Sequence, residues 1–139
     1  MTYADTSALV KLLVVEAETP TLQSYLSSSG QRLASSELTI AELGRTAVRA
    51  GASGASVRAL LGQIDLLAVR RDALERAGNL PSPEGTFLRT ADAIHLVAVL
   101  ELGETVFMTY DRRQAQAAAR QGLQVTAPGR RDDWFAHEL

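Results

Sequence analysis

Asp5, Asp92 and Asp111 are the residues whose types and settings could do chemistry, and that chemistry is the gripping of a hard divalent cation by oxygen. Asp5 follows the short strand candidate Thr2-Tyr3-Ala4 and opens an apolar segment that reads as a helix. Asp111 follows the continuous apolar run from Val106 to Tyr110 and opens an alanine-rich helix. In open α/β sheets, ligands gather where strands end and helices begin. Each aspartate is equally readable as an N-cap that accepts from free amides of the next turn, and the two roles can coexist. Asp92 shares a helical face with Leu88, Leu96 and Val99, where a carboxylate is costly unless it is paired or holds a cation. The ordinary alternative there is an acid in a first helical turn, favoured by the helix dipole and paired with Arg89. Glu42 falls on a polar face near Arg45, Thr46 and Arg49, where pattern alone makes it a solvated ion-pair partner.

Composition narrows the metal. The 139 residues include no cysteine, and only His95 and His137 carry imidazole, so thiolate sites are excluded and histidine-rich zinc sites are disfavoured. Oxygen ligands favour Mg²⁺ or Mn²⁺. Net charge is −2, with Lys11 the single lysine, which argues mildly against binding nucleic acid by bulk electrostatics. The arginine pairs Arg70-Arg71, Arg112-Arg113 and Arg130-Arg131 remain readable as local phosphate contacts or as solvated surface. No export signal is legible around the early Asp5, and the apolar run about Leu12 to Val15 is too short to span a bilayer. The expected compartment is the cytoplasm, with no membrane partner.

The elements that must position these acids alternate. The pattern predicts a strand at Thr2 to Ala4, a largely buried helix from Thr6 to Glu16, a helix from Pro20 to Ser28 and a strand from Gln31 to Ala34. A helix follows over Glu37 to Ala50, with Ile40, Leu43, Gly44, Ala47 and Val48 as its apolar stripe, and another begins near Ser56. Ile64 to Val69 reads as the end of that helix or as a third strand. Arg71 to Ala77 is helical, Asn79 to Phe87 is a loop, and Thr90 to Leu102 is a helix stopped by Gly103. Val106 to Tyr110 is a covered strand, Arg112 to Arg120 a helix, and Leu123 to Thr126 a last strand. This order predicts an α/β fold around a parallel sheet, with residues 1–139 as a single domain.

With the residues laid out, the chain resembles the PIN-domain family, specifically the VapC-type toxins of prokaryotic toxin–antitoxin pairs. The likeness rests on four stretches in the family's order: Asp5 to Leu12, Ser36 to Leu43, Leu88 to Leu96, and Thr109 to Arg113. It implies a three-layer α/β/α fold and an endoribonuclease dependent on Mg²⁺ or Mn²⁺. It also implies a small VapB-type antitoxin that wraps the toxin and occludes its site, together with a homodimer. Position by position it assigns Asp5, Glu42, Asp92 and Asp111 to the metal-binding acidic cluster. Ser7 and Thr109 match small hydroxyl residues near that cluster, and His95 matches a histidine expected to pack. After the last aspartate only Gln114 stands where some relatives carry a further acid or amide, which questions a second metal site.

Such a cluster would hydrolyse RNA phosphodiesters with water activated near neutral pH, and no side chain need be the nucleophile. Two rivals were weighed from the residues. A serine hydrolase using Ser7 with His95 or His137 lacks a Gly-x-Ser-x-Gly elbow. A non-catalytic metal-binding or phospho-acceptor α/β domain remains, although the latter resembles domains with a late lysine and none follows Lys11.

Overall fold

The computed structural model describes residues 1–81, 88–103 and 105–136; residues 82–87 with Pro83 and Gly85, and also His137, lie outside the described residues. Five short strands form one all-parallel sheet: β1 (Thr2–Ala4), β2 (Leu33–Ser36), β3 (Asp65–Leu67), β4 (Val106–Met108) and β5 (Gln124–Thr126). Their spatial order is β3-β2-β1-β4-β5, so the chain winds outward from β1 on one side and then crosses to β4 on the other. That reversal opens a crevice at the carboxyl ends of β1 and β4, the place where such sheets bind ligands.

Register divides the core in two. Tyr3 pairs with Phe107 and with Ala34, while Ala4 pairs with Met108. Because strand side chains alternate, Tyr3, Ala34 and Phe107 face one way and Ala4 and Met108 the other. The first set packs with Leu96, Val99 and Ala118 of α6 (Thr90–Glu101) and α7 (Arg112–Arg120), with α5 (Arg71–Gly78) docked beside α6. The second set packs with Ala8 and Leu9 of α1 (Thr6–Leu9), Leu22 of α2 (Thr19–Ser29), Leu43 and Ala47 of α3 (Leu38–Ala50), and Val57 of α4 (Gly54–Leu61). The result is the expected three-layer α/β/α arrangement. Among the described residues, no helix is long and apolar enough to cross a membrane.

Two expectations change. The helix expected over Thr6 to Glu16 ends at Leu9, continues as one 3₁₀ turn (Val10–Leu12) and stops. The Lys11 carbonyl accepts from Thr19 Oγ1 at 2.8 Å, and the Lys11 ammonium, 6% exposed, reaches Glu16 at 2.6 Å and Glu18 at 3.1 Å. These local partners fold the chain back, bury the single lysine and leave Val15 in solvent. The same ammonium lies 4.6 Å from the Tyr110 ring centroid. Lys11→Met is therefore expected to lower stability by about 2 kcal/mol, because Glu16 loses its ammonium partner and Glu18 is left with Arg130 alone. Urea unfolding checks this, and an unchanged midpoint would show the pair to be neutral.

The second change concerns α3. Its buried stripe is Thr39, Leu43 and Ala47, whereas Ile40 is 49% and Val48 82% exposed. The Thr39 hydroxyl donates to the Ser36 carbonyl at 2.6 Å, which turns the helix by roughly one residue from the orientation its apolar side chains suggest. Glu42 thereby flanks the buried stripe instead of standing in water. Asp65 to Leu67 settles as strand β3, paired in parallel with β2. Gly30 and Gly103 end their helices at φ +63° and +77°, a left-handed conformation that side chains resist.

Candidate functional site

Asp5 sits directly after β1 and Asp111 three residues after β4, on neighbouring strands at the crevice. Both do cap helices, as the bland reading held: Asp5 Oδ1 accepts from the Ala8 amide at 3.3 Å, and Asp111 Oδ1 from the Gln114 amide at 3.1 Å. Capping does not account for the rest of the Asp5 environment. Its side chain is almost wholly buried, yet Oδ1 also accepts from the Ser7 hydroxyl and Oδ2 from the Thr109 hydroxyl, each at 2.6 Å. Ser7 and Thr109 themselves meet at 3.2 Å. Burial pushes the Asp5 carboxyl up from its ordinary range, and these hydrogen bonds pull it partly back.

Asp92 stands in the first turn of α6. Burial, then the charges of Asp111 and Asp5, push its carboxyl up to about 6, against an opposing pull from Arg89. The three aspartates are thus close enough to feel one another. A carboxyl whose folded pKa lies above its unfolded value stabilises most when protonated, and that stability is lost as pH rises from about 4 through about 6. At neutral pH Asp92 is consequently a destabilising charge in the metal-free protein. Asp92→Asn is expected to raise the melting temperature at pH 7 and to leave it little changed at pH 4. A wild-type melting temperature at or above the variant's at pH 7 would refute the crowding.

Glu42 reaches the same region through its neighbours. Its Oε1 accepts from the Thr6 hydroxyl at 2.6 Å, beside Asp5, and from His95 Nε2 at 2.7 Å, one turn beyond Asp92. Burial works to raise the Glu42 carboxyl, but the hydrogen bonds from His95 and Thr6 outweigh it and hold the group below its usual range. The surface ion pair with Arg45 or Arg49 that pattern alone suggested does not form. His95 was expected to pack; it is 1% exposed, and its other nitrogen, Nδ1, is 2.7 Å from the Tyr3 hydroxyl.

Thr6 and Tyr3 were not singled out from sequence. One signal for His95 was available: it lies three residues after Asp92, hence on the same helical face. Gln114 is fully buried and joins two of the acids. Its Nε2 donates to the Asp92 backbone carbonyl at 2.9 Å, its backbone N–H donates to Asp111 Oδ1, and its Oε1 has no partner among the described residues.

A divalent cation fits this donor set in part. Every carboxylate is a hard oxygen ligand, and the crowding felt by Asp92 is what a cation relieves. However, among the described residues no three carboxylate or imidazole groups are arranged to grip one ion as they stand. Both Asp5 oxygens and Glu42 Oε1 are engaged by hydroxyls and imidazole. Rival chemistry fares worse. Ser7 is held by Asp5 and by the Tyr110 amide, and His95 by Tyr3 and Glu42, so they form no hydrolase pair. Lys11 is buried against glutamates and does not serve a phospho-acceptor site. Among the arginine pairs, Arg70, Arg71 and Arg131 make exposed ion pairs with Asp72, Glu75 and Asp133, and Arg130 bonds Glu18 at 3.0 Å.

Comparison with known proteins agrees with this fold. The family model for the PIN domain matches residues 2–120. The chain is 41% identical over 129 residues to Ribonuclease VapC46 of Mycobacterium tuberculosis, a match covering 91% of this chain and 96% of that protein. It is 37% identical over 136 residues to Ribonuclease VapC47 of the same species, covering 93% and 98%. Among solved structures it resembles M. tuberculosis VapC20, described as a sarcin-ricin loop cleaving toxin, at a TM-score of 0.75 and 16% identity, covering 92% of this chain and 100% of that one. It also resembles a chain of a toxin–antitoxin complex from Klebsiella pneumoniae, at a TM-score of 0.69 and 22% identity, covering 92% and 98%. At such identities the two structures speak to the fold alone.

Proposed function

This chain belongs to the PIN domain family, and from that premise we propose that residues 1–139 act as one nuclease domain, a VapC-type toxin that cleaves RNA. The observation that carries the reading is the placement of Asp5 and Asp111 at the carboxyl ends of adjacent strands with Asp92 close enough to feel both charges. In this reading Asp5, Asp92 and Asp111 hold Mg²⁺ or Mn²⁺, and Glu42 completes the set. When bound, such a cation lowers the pKa of water and offsets charge developing on the phosphoryl oxygens.

The chain's own residues have narrower tasks. Ser7 and Thr109 fix the Asp5 carboxylate by donating to its two oxygens. In this reading the attacking group is water. Asp92 must be ionised to serve, which suits a site working at neutral pH. A small VapB-type antitoxin, homodimerisation and a cytoplasmic location complete the proposal; an antitoxin partner is in keeping with the like fold of a chain from a toxin–antitoxin complex of Klebsiella pneumoniae.

Sequencing RNA ends after brief expression tests the function, with wild-type protein set against Asp5→Asn. New ends at discrete sites are expected with wild type only. Indistinguishable profiles from the two proteins would remove the nuclease reading.

A further inference from the structure

We propose that His95, held by the Tyr3 hydroxyl, is a positioning residue that orients the Glu42 carboxylate toward the acidic cluster. The inference rests on the assignment of Glu42 above and adds a role to residues that assignment does not use. Three elements meet in this chain of contacts. Tyr3 lies on β1 and is 0% exposed, His95 lies on α6 and is 1% exposed, and Glu42 projects from α3. The contacts are 2.7 Å from the Tyr3 hydroxyl to Nδ1 and 2.7 Å from Nε2 to Glu42 Oε1. An edge-on ring contact, with centroids 5.9 Å apart, further fixes the imidazole against Tyr3.

The proton arrangement follows from what each group can do. An ionised carboxylate only accepts, so Nε2 carries hydrogen toward Glu42. With a neutral ring, Nδ1 then accepts from the Tyr3 hydroxyl, and the tautomer is set by that bond. Thr6 supplies a second donor to the same Oε1. Two donors on one oxygen pin the carboxylate and leave Oε2 without a hydrogen bond among the described residues.

Simple packing explains this poorly. A histidine in an apolar core needs its polar atoms satisfied, and one that needs only to fill space is better replaced by leucine. Here one nitrogen engages Tyr3, two residues before Asp5, and the other engages Glu42. His95 and Asp92 lie one helical turn apart, so α6 carries one acid of the cluster and the orienter of another. Partners that orient metal-binding side chains typically change affinity by about 10–100-fold when removed.

The test uses Mn²⁺ as probe with His95→Leu, His95→Gln, Tyr3→Phe and Glu42→Gln, measured by titration calorimetry beside steady-state cleavage and metal-free melting. His95→Leu is expected to weaken Mn²⁺ binding by roughly 10–100-fold. It should lower kcat with KM for RNA nearly unchanged. His95→Gln retains an N–H near Nε2 and is expected to recover most of the Mn²⁺ affinity. Tyr3→Phe should lose a few-fold in affinity while melting as a folded protein. Should His95→Leu not fold, Tyr3→Phe and His95→Gln decide: wild-type affinity in Tyr3→Phe, or an affinity in His95→Gln no better than in Glu42→Gln, overturns the inference. Wild-type affinity in a folded His95→Leu does the same. Unchanged affinity in Glu42→Gln strikes instead at the assignment of Glu42, and that separates the two failures.

Discussion

Asp5→Asn is expected to cleave RNA roughly a thousandfold more slowly than wild type, about 4 kcal/mol of lost transition-state stabilisation, while unfolding at or above the wild-type temperature. The two halves of that result come from the same environment. Asp5 is almost wholly buried with its carboxyl raised by desolvation, so the negative charge itself opposes folding. Asparagine removes the charge and keeps a carbonyl oxygen for one of the two hydroxyls that bond Asp5, while its amide can donate to the other. Alanine is a less clean variant. It would take the carboxylate acceptor from the Ser7 and Thr109 hydroxyls, at about 1–3 kcal/mol for a hydroxyl left unpaired, whereas the Ala8 amide keeps the Asp5 backbone carbonyl at 3.2 Å. Asparagine is therefore the diagnostic change. Kinetics on a defined RNA together with thermal unfolding read both halves. Activity within tenfold of wild type would end the assignment of Asp5 as a metal ligand.

Chelation carries the second large effect. Treatment with a chelator is expected to abolish cleavage, and readdition of Mg²⁺ or Mn²⁺ to restore it. The same ion should raise the melting temperature, because it binds the folded chain and not the unfolded one. At a hundredfold excess over its dissociation constant the gain is about 2.7 kcal/mol, on the order of 10 °C for a chain of this size. The pH dependence has a definite sign. Asp92 is pushed up to about 6, so below that value the cation must displace a proton, and the thermal gain shrinks as pH falls through 6 toward 4. Asp92→Asn should flatten that pH dependence. A metal-induced shift equally large at pH 4.5 and 7.5 would exclude Asp92 from the site, and chelator-resistant cleavage would exclude the metal mechanism altogether.

The Lys11 region shows how local partners override pattern. The segment from Thr6 to Glu16 reads as a buried helix, yet the helix stops because Thr19 takes the Lys11 carbonyl and Glu16 and Glu18 take its ammonium. Those acids lie five and seven residues downstream, outside helical spacing, so no period in the run announces them. Helix α3 teaches the same lesson in rotation. Its apolar side chains favour a face containing Ile40 and Val48, and one hydroxyl bond from Thr39 to Ser36 helps set another.

The amino-acid order by itself determined the alternation of strands and helices, the parallel sheet, the positions of Asp5 and Asp111 at strand-to-helix junctions, and the anomaly of Asp92 on an apolar face. These are local properties, carried by periodicity of 2 or 3.6 residues and by capping preferences that act within one turn. Glu42 entered the candidate set only through family likeness, since its own helix presents it as a solvated acid. Tertiary structure alone decided that it turns inward to Thr6 and His95, that Tyr3 closes the line behind it, and that Gln114 ties Asp92 to the helix capped by Asp111. The physical reason is separation along the chain: Glu42 and His95 are 53 positions apart, and Tyr3 and His95 are 92. A hydrogen bond between such residues exists only once the sheet order has brought β1, α3 and α6 together.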